Sequence, residues 1–184
     1  MSRISVACIF LIGTSTVFAA DSEAKRITSA TDVLTEMTRE KDKGIPEDLF
    51  HKSYCAVIIP NMKKAGFIVS GRYGRGFASC RKPNGGWSAP AAMRVEGGGF
   101  GLQVGGEEMD IVMLVMSEKG MKGILASKFT LGADASVAVV KTGAGGTYDT
   151  QTLSKPVLAF VFGEKGLMGD ASLQGGKISK IATK

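Results

Sequence analysis

Short apolar runs interrupted by glycine constrain the fold of this chain more than any other feature. Residues 55–59 (CAVII), 65–80, 97–104, 109–116 (MDIVMLVM), 129–141 and 157–162 carry strand-like patterning, with glycine inside or beside most of them. Glycine makes up 25 of the 184 residues, roughly twice the usual share of about 7%. These glycines are spread among the apolar runs and form no low-complexity tract, so they read as bulges, tight turns and close backbone approaches. Many strands with short connections are expected.

The stretch over residues 63–94 is the most informative of these runs. Phe67, Val69, Gly71 and Tyr73 alternate with Ile68, Ser70 and Arg72, which predicts a strand with an apolar buried face and a charged exposed one. Seven basic residues fall in the stretch, Lys63, Lys64, Arg72, Arg75, Arg81, Lys82 and Arg94, and no acidic one. Guanidinium groups beside a Gly-rich turn suit an anionic partner, because the planar fork matches phosphate oxygens. A plain solvated strand face has the same pattern, and spacing alone does not separate the two readings.

Upstream of this stretch the pattern is helical. Over residues 22–43, Ile27, Ala30, Leu34 and Met37 recur at steps of four and three with Val33 beside them, which predicts an amphipathic helix packed on the domain core. Pro46, Glu47 and Asp48 suit the first turn of a second, short helix with Leu49 and Phe50 turned inward. Downstream, residues 55–59 read as a strand closed by Pro60, and Pro83-Asn84-Gly85-Gly86 as the turn of a hairpin returning from Trp87. Residues 109–116 read as a central strand covered on both faces, and Ser117 as the cap of a helix that turns Met121, Ile124 and Leu125 inward. Residues 129–141 read as a kinked strand, 142–151 as a polar loop, and 157–162 with 167–173 as a last hairpin around Gly163 to Gly166. Helices followed by strands argue for an α+β fold, with the N-terminal helices packed on a largely antiparallel, Gly-rich, many-stranded β structure.

The first 20 residues stand apart. A basic start at Arg3, an apolar run and small residues at Ala19 and Ala20 match a secretory signal peptide, leaving residues 21–184 as a single exported domain, periplasmic or secreted. Its removal takes away one base and no acid, so the formal charge of +6 becomes 22 bases against 17 acids, or +5. That balance fits ordinary solubility as well as an anionic partner. Two cysteines remain in the exported part, Cys55 and Cys80. In an oxidising compartment they are either bridged or two buried thiols on separate strands, and geometry decides between these.

Several chemistries lack their residues. His51 is the single histidine, so neither a two-histidine metal site nor an imidazole cluster forms, and no metal or other cofactor is expected. Gly86-Trp87-Ser88-Ala89-Pro90 fails the nucleophile-elbow spacing at its last position. The glycine runs match neither nucleotide fingerprint. His51 with Glu47 one turn earlier reads as a surface histidine, and Asp110 and Asp134 as structural acceptors for backbone groups. Tyr73, Phe77 and Trp87 make a weak stacking platform, and an exported location argues against nucleic acid.

The succession CAVIIPNMKKAGFIVSGRYGRG, CR, GGWSAP, EGGGFGLQVGGEEMDIVMLVM and KFTLGADASVA, spanning about residues 28–175, resembles the SYLF domain. That family is a lipid-binding domain of bacterial exported proteins and of eukaryotic proteins coupled to actin and endocytic membranes. The resemblance implies a non-enzymatic protein whose partner is an anionic phospholipid or membrane surface. It also places Lys63, Lys64, Arg72 and Arg75 in the family's basic strand-turn segment as lipid-binding candidates. The helix over 22–43 takes the place of the family's amphipathic membrane-contacting helix. In an envelope the lipid would be a phospholipid, with neither actin nor phosphoinositides at hand. A protein–protein or structural envelope module without a lipid ligand is the alternative.

Overall fold

The computed structural model describes residues 17–39, 44–66, 69–100, 105–127, 129–141, 150–166 and 173–181. The expected signal peptide lies outside them apart from residues 17–20, as do Phe67, Ile68 and residues 142–149 and 167–172. The fold is mixed α+β. Helices α1 (Val17–Arg39) and α2 (Glu47–Lys52) precede strands β1 (Cys55–Gly66), β2 (Val69–Cys80), β3 (Ala91–Phe100) and β4 (Gly105–Val115). After helix α3 (Glu118–Leu125) come β5 (Phe129–Thr130), β6 (Val137–Lys141), the short α4 (Thr150–Leu153), β7 (Val157–Gly166) and β8 (Lys177–Lys180).

The described strands form one sheet in the order β5-β8-β3-β2-β1-β4-β7-β6. Every pairing is antiparallel except β6 on β7. The two edge strands, β5 and β6, are consecutive in the chain and separated only by residues 131–136. A flat sheet of eight strands would hold its edges about 34 Å apart at about 4.8 Å per spacing. Seven residue steps reach at most about 25 Å. The sheet therefore curls until its edges approach, and Leu131 pairs with Ala135 across the gap.

Curling gives the sheet an inside and an outside. The inner face carries Ile59, Met62, Met93, Met109, Ile111 and Met113, all buried, closed at one end by Phe129, Leu131 and Ile124. Side chains this size each contribute about 1.5–3 kcal/mol on full burial. On the outer face Val112, Leu114, Leu158 and Phe160 pack against Ile45, Leu49 and Phe50 from α2 and its approach, with Val33 of α1. The continuous run at 109–116 is thus covered on both sides, as its lack of alternation implies.

Pro60 does not end the first strand. Ile59 pairs with Ile111 and Met62 with Met109, so Pro60 and Asn61 together face Asp110 in a bulge. Asn61 adopts a left-handed φ of 50° and donates its backbone N–H to Asp110 Oδ1 at 2.8 Å. The missing N–H of proline costs nothing at such a position. Opposite the bulge, Gly74 and Gly76 on β2 leave the room it takes. A Cβ on Gly76 would fall well inside contact distance of the Ile58 carbonyl, and one on Gly74 would overlap Ile59 Cγ2.

Other details depart from the expectations. The run over 163–166 stays inside β7 instead of turning, with Gly163 at a φ of 59° where β4 and β7 shift register. Residues 91–100 form one strand, not two. In α3 the Ser117 hydroxyl accepts from Gly120 N at 3.2 Å and Ile124 is buried, but Leu125 is exposed. Gly120 sits in this helix because a Cβ there would come within 2.6 Å of Val115 Cγ1.

Helix α1 lies on the outer face across β1 and β2. Thr28, Ser29, Thr31 and Thr35 each donate a side-chain hydroxyl to the carbonyl four residues earlier. Ala30 is buried beneath the helix, whereas Ile27 of the same stripe is 44% exposed, so the helix does not press fully onto the sheet.

Cys55 and Cys80 are register partners on β1 and β2, joined by a disulfide with a sulfur separation of 2.05 Å across 25 residues. A closed loop of this length stabilises by about 3 kcal/mol in the chain-entropy model. Reductant is expected to lower the unfolding free energy by about that amount, and a Cys55→Ala/Cys80→Ala double variant to be insensitive to it; denaturant titration with and without reductant checks both.

Candidate functional site

The bulge at Pro60-Asn61 decides where the basic residues of β1 and β2 point. Before it, Cys55 and Val57 face inward; after it, Met62 and Lys64 do, leaving Lys63 and Ala65 outside. On β2 the inward set is Ser70, Arg72, Gly74 and Gly76, and the outward set Val69, Gly71, Tyr73 and Arg75. This inverts the face assignment read from the alternation. Val69 is 59% and Tyr73 43% exposed, whereas Arg72 is buried. The pairing with β1 beyond the bulge, together with the space glycine leaves over Ile59 and Met62, outweighs the apolar preference of two side chains.

The four lipid-binding candidates are therefore split between faces. Lys64 and Arg72 are directly paired on the inner face, and Lys64 is paired on its other side with Glu107 of β4. All three are buried, at 4%, 8% and 5% exposure. Opposite positions on neighbouring strands hold Cβ atoms about 4.5–5.5 Å apart, so Glu107 stands directly beside Lys64, with Arg72 one strand further along. Lys64 and Glu107 also line a shallow groove at this end of β1 and β4, together with Lys63 and Glu108.

Lys63 and Arg75 lie together on the outer face. They line a groove of about 330 Å³ between α1 and the sheet, with Arg26 and Ser29 on the helix side and Asn61 and Tyr73 at the floor. The Arg75 guanidinium stands 5.7 Å from the Tyr73 ring centroid and its Nε donates to the Tyr73 hydroxyl. That contact orients the fork while leaving it exposed. Lys63 Nζ is 3.9 Å from Glu108, both largely exposed, a pair worth little. Arg26 was not among the candidates, and its place in the helical register was the signal for it, since Arg26 and Ser29 are one turn apart.

The remaining bases of the stretch are used differently. Arg81 donates to the carbonyls of Ser53 at 3.1 Å and His51 at 3.0 Å, and lies 4.5 Å over the Trp87 ring, so it ties the end of α2 to the sheet. Arg94 is held by Glu96 at 3.5 Å and donates to the Ser179 hydroxyl.

Next to the basic groove is an apolar one of about 340 Å³, also beneath α1, reaching Phe50 and Trp87 at its far end. The two rings stack with centroids 5.2 Å apart.

Among the described residues no catalytic constellation lines these grooves. His51 Nε2 lies 3.3 Å from Glu47 in an exposed pair one helical turn apart. Asp110 and Asp134 accept from backbone N–H groups, of Asn61 and of Thr130 at 2.6 Å. Among the described residues no group of three metal-ligating side chains gathers, and no helix is long and apolar enough to cross a membrane.

Residues 96–183 match the family model described as "Ysc84: Las17-binding protein actin regulator". SH3 domain-containing YSC84-like protein 1 of Homo sapiens is 31% identical over 157 residues, 84% of this chain and 46% of that protein. The Xenopus laevis protein of the same name is 32% identical over 135 residues, 73% of this chain and 40% of its own length. LAS seventeen-binding protein 3 of Saccharomyces cerevisiae is 34% identical over 142 residues, 74% of this chain and 30% of its own. The chain thus spans less than half the length of these relatives, of which the yeast one is named a binding protein. With the matched residues running through β3 to β8 and the pairwise similarity extending over most of the sheet, the chain belongs to the Ysc84, or SYLF, domain family.

Proposed function

We propose that this is a non-enzymatic protein that associates peripherally with anionic phospholipid through the outer face of β1 and β2. The observation that carries the reading is the groove in which Lys63, Arg75 and Arg26 converge. Arg75 is exposed and, among the described residues, has no carboxylate within ion-pair distance, which leaves its charge available to an anionic partner. Of the four residues in the basic strand-turn segment, Lys63 and Arg75 then contact lipid, while Lys64 and Arg72 support the sheet from inside. The reading also takes the chain to be exported into an envelope, supported by the pattern of residues 1–20 and by a buried disulfide, which persists in oxidising compartments.

Each basic side chain near an anionic surface contributes about 1 kcal/mol, so a Lys63→Gln/Arg75→Gln variant is expected to bind anionic vesicles roughly thirtyfold more weakly. A charge-matched Lys119→Gln/Lys155→Gln variant should change binding little. Co-sedimentation with phosphatidylglycerol-containing and pure phosphatidylcholine vesicles across ionic strength checks this. Equal binding to both, or none to either, would sink the proposal.

The relatives' names favour a second reading, a module that binds a protein partner. Those names refer to Las17 and to an SH3 domain, and the outer face would then be a protein-docking surface. Binding indifferent to lipid charge by a folded protein is the result that favours it.

A further inference from the structure

We infer that the basic and apolar grooves are two halves of one site, which takes a single anionic phospholipid with one acyl chain under α1 and its headgroup at Arg26, Lys63 and Arg75. The inference rests on the lipid reading above and deepens it from adsorption on a surface to insertion of a chain.

Adjacency carries the argument. On β1 the apolar groove is floored by Ala56 and Ile58, and the basic one begins at Pro60. On β2, running the other way, Phe77 and Ser79 belong to the first and Tyr73 and Arg75 to the second. Helix α1 borders both, with Arg26 and Ser29 on the flank over the basic groove and Ile27, Thr31 and Leu34 on the flank over the apolar one. Both strands therefore cross from apolar to basic at the same level, and α1 turns one flank to each groove. Side by side the molecule presents an apolar slot and a cluster of cations, the complement of an anionic amphiphile.

The chemistry of the slot narrows the occupant. Its two hydroxyls are already engaged, Thr31 with the Ile27 carbonyl at 2.9 Å and Ser79 with the Ser88 carbonyl at 2.7 Å. A peptide segment would bury backbone N–H and C=O groups there without partners, at about 1–3 kcal/mol for each group. An acyl chain brings no such groups and gains about 0.8 kcal/mol per buried methylene. The slot's 340 Å³ also lies within the range of about 300–1,000 Å³ common for small-molecule sites.

Trp87, the one tryptophan of the sequence, lines the slot and reports on it. The test measures Trp87 fluorescence with vesicles of phosphatidylcholine carrying phosphatidylglycerol, the latter either brominated on one acyl chain or unbrominated, alongside co-sedimentation of the same samples. Brominated phosphatidylglycerol is expected to quench Trp87, and brominated phosphatidylcholine without anionic lipid to leave it bright. Thr31 is exposed, so Thr31→Phe fills the slot from the helix side without disturbing the core. That variant should lose the quenching while still sedimenting with anionic vesicles. Lys63→Gln/Arg75→Gln should weaken both signals together, roughly thirtyfold. A protein that sediments with anionic vesicles yet keeps Trp87 bright overturns the inference and leaves surface association standing. So does quenching unchanged by Thr31→Phe, or equal quenching by the two brominated lipids. A protein that does neither overturns both.

Discussion

Changing Glu107 to Gln is expected to cost about 3–5 kcal/mol of stability, the penalty for stranding buried charge. Glu107 is 5% exposed on the inner face of β4, and its register partner Lys64 pairs in turn with Arg72. Glutamine keeps the shape and removes the charge, leaving two buried cations in a region of low dielectric. The neighbouring Glu108 is the internal comparison. It points outward, 3.9 Å from Lys63 with both side chains largely exposed, and Glu108→Gln should shift stability by no more than about 1 kcal/mol. Urea unfolding of the two variants, one residue apart in sequence, measures the difference between the faces. Similar losses for both would refute the burial assignment of Lys64 and Arg72, and with it the division of the basic residues.

Gly76→Ala is expected to be as damaging, on the order of 4 kcal/mol or loss of the folded protein, although it adds one methyl group. The carbonyl of Ile58 occupies the place of that methyl because the β1 bulge thrusts its backbone toward β2. Backbone on a central strand cannot yield as a flexible side chain would. Gly71→Ala, five residues earlier on the same strand, meets nothing within 4 Å. It should be neutral or slightly stabilising, since alanine has less unfolded-state entropy to lose. Thermal unfolding of the pair separates a glycine required by contact from one that is merely tolerated; a Gly76→Ala protein as stable as Gly71→Ala would show that the bulge relaxes.

These contrasts mark what was legible in the sequence. The helices, the central strand at 109–116, the hairpin at Asn84-Gly85-Gly86 and the Ser117 cap rest on local periodicity and side-chain chemistry, and they appear in place. So does the reading of the glycines as backbone geometry, most directly at Gly74 and Gly76. Which face of β2 turns inward was not legible. Phe67, Val69 and Tyr73 signal one face, but the bulge two strand positions after Ile58 and the pairing beyond it select the other. Lys63, Lys64, Arg72 and Arg75 divide between the two faces for the same reason, since adjacent residues on a strand point to opposite sides. Arg26 and the slot under α1 come from a helix meeting two strands far away in sequence. The insertion of β8 between β5 and β3, and the parallel docking of β6 on β7, are likewise non-local pairings that a linear pattern does not encode.

The hydroxyl-to-carbonyl bonds along α1 bear on how the molecule breathes. Side chains at 28, 29, 31 and 35 share carbonyls with the helix's own backbone ladder, an arrangement that slightly weakens and bends a helix. The sheet beneath is cross-linked by the disulfide and paired strand to strand, whereas among the described side chains of α1 Ala30 is the buried one. Opening α1 therefore requires only its own packing to be lost, and its amides should exchange with solvent hydrogen long before those of β1 and β4. The molecule has two tiers of stability, and the border between them runs along the roof of the grooves.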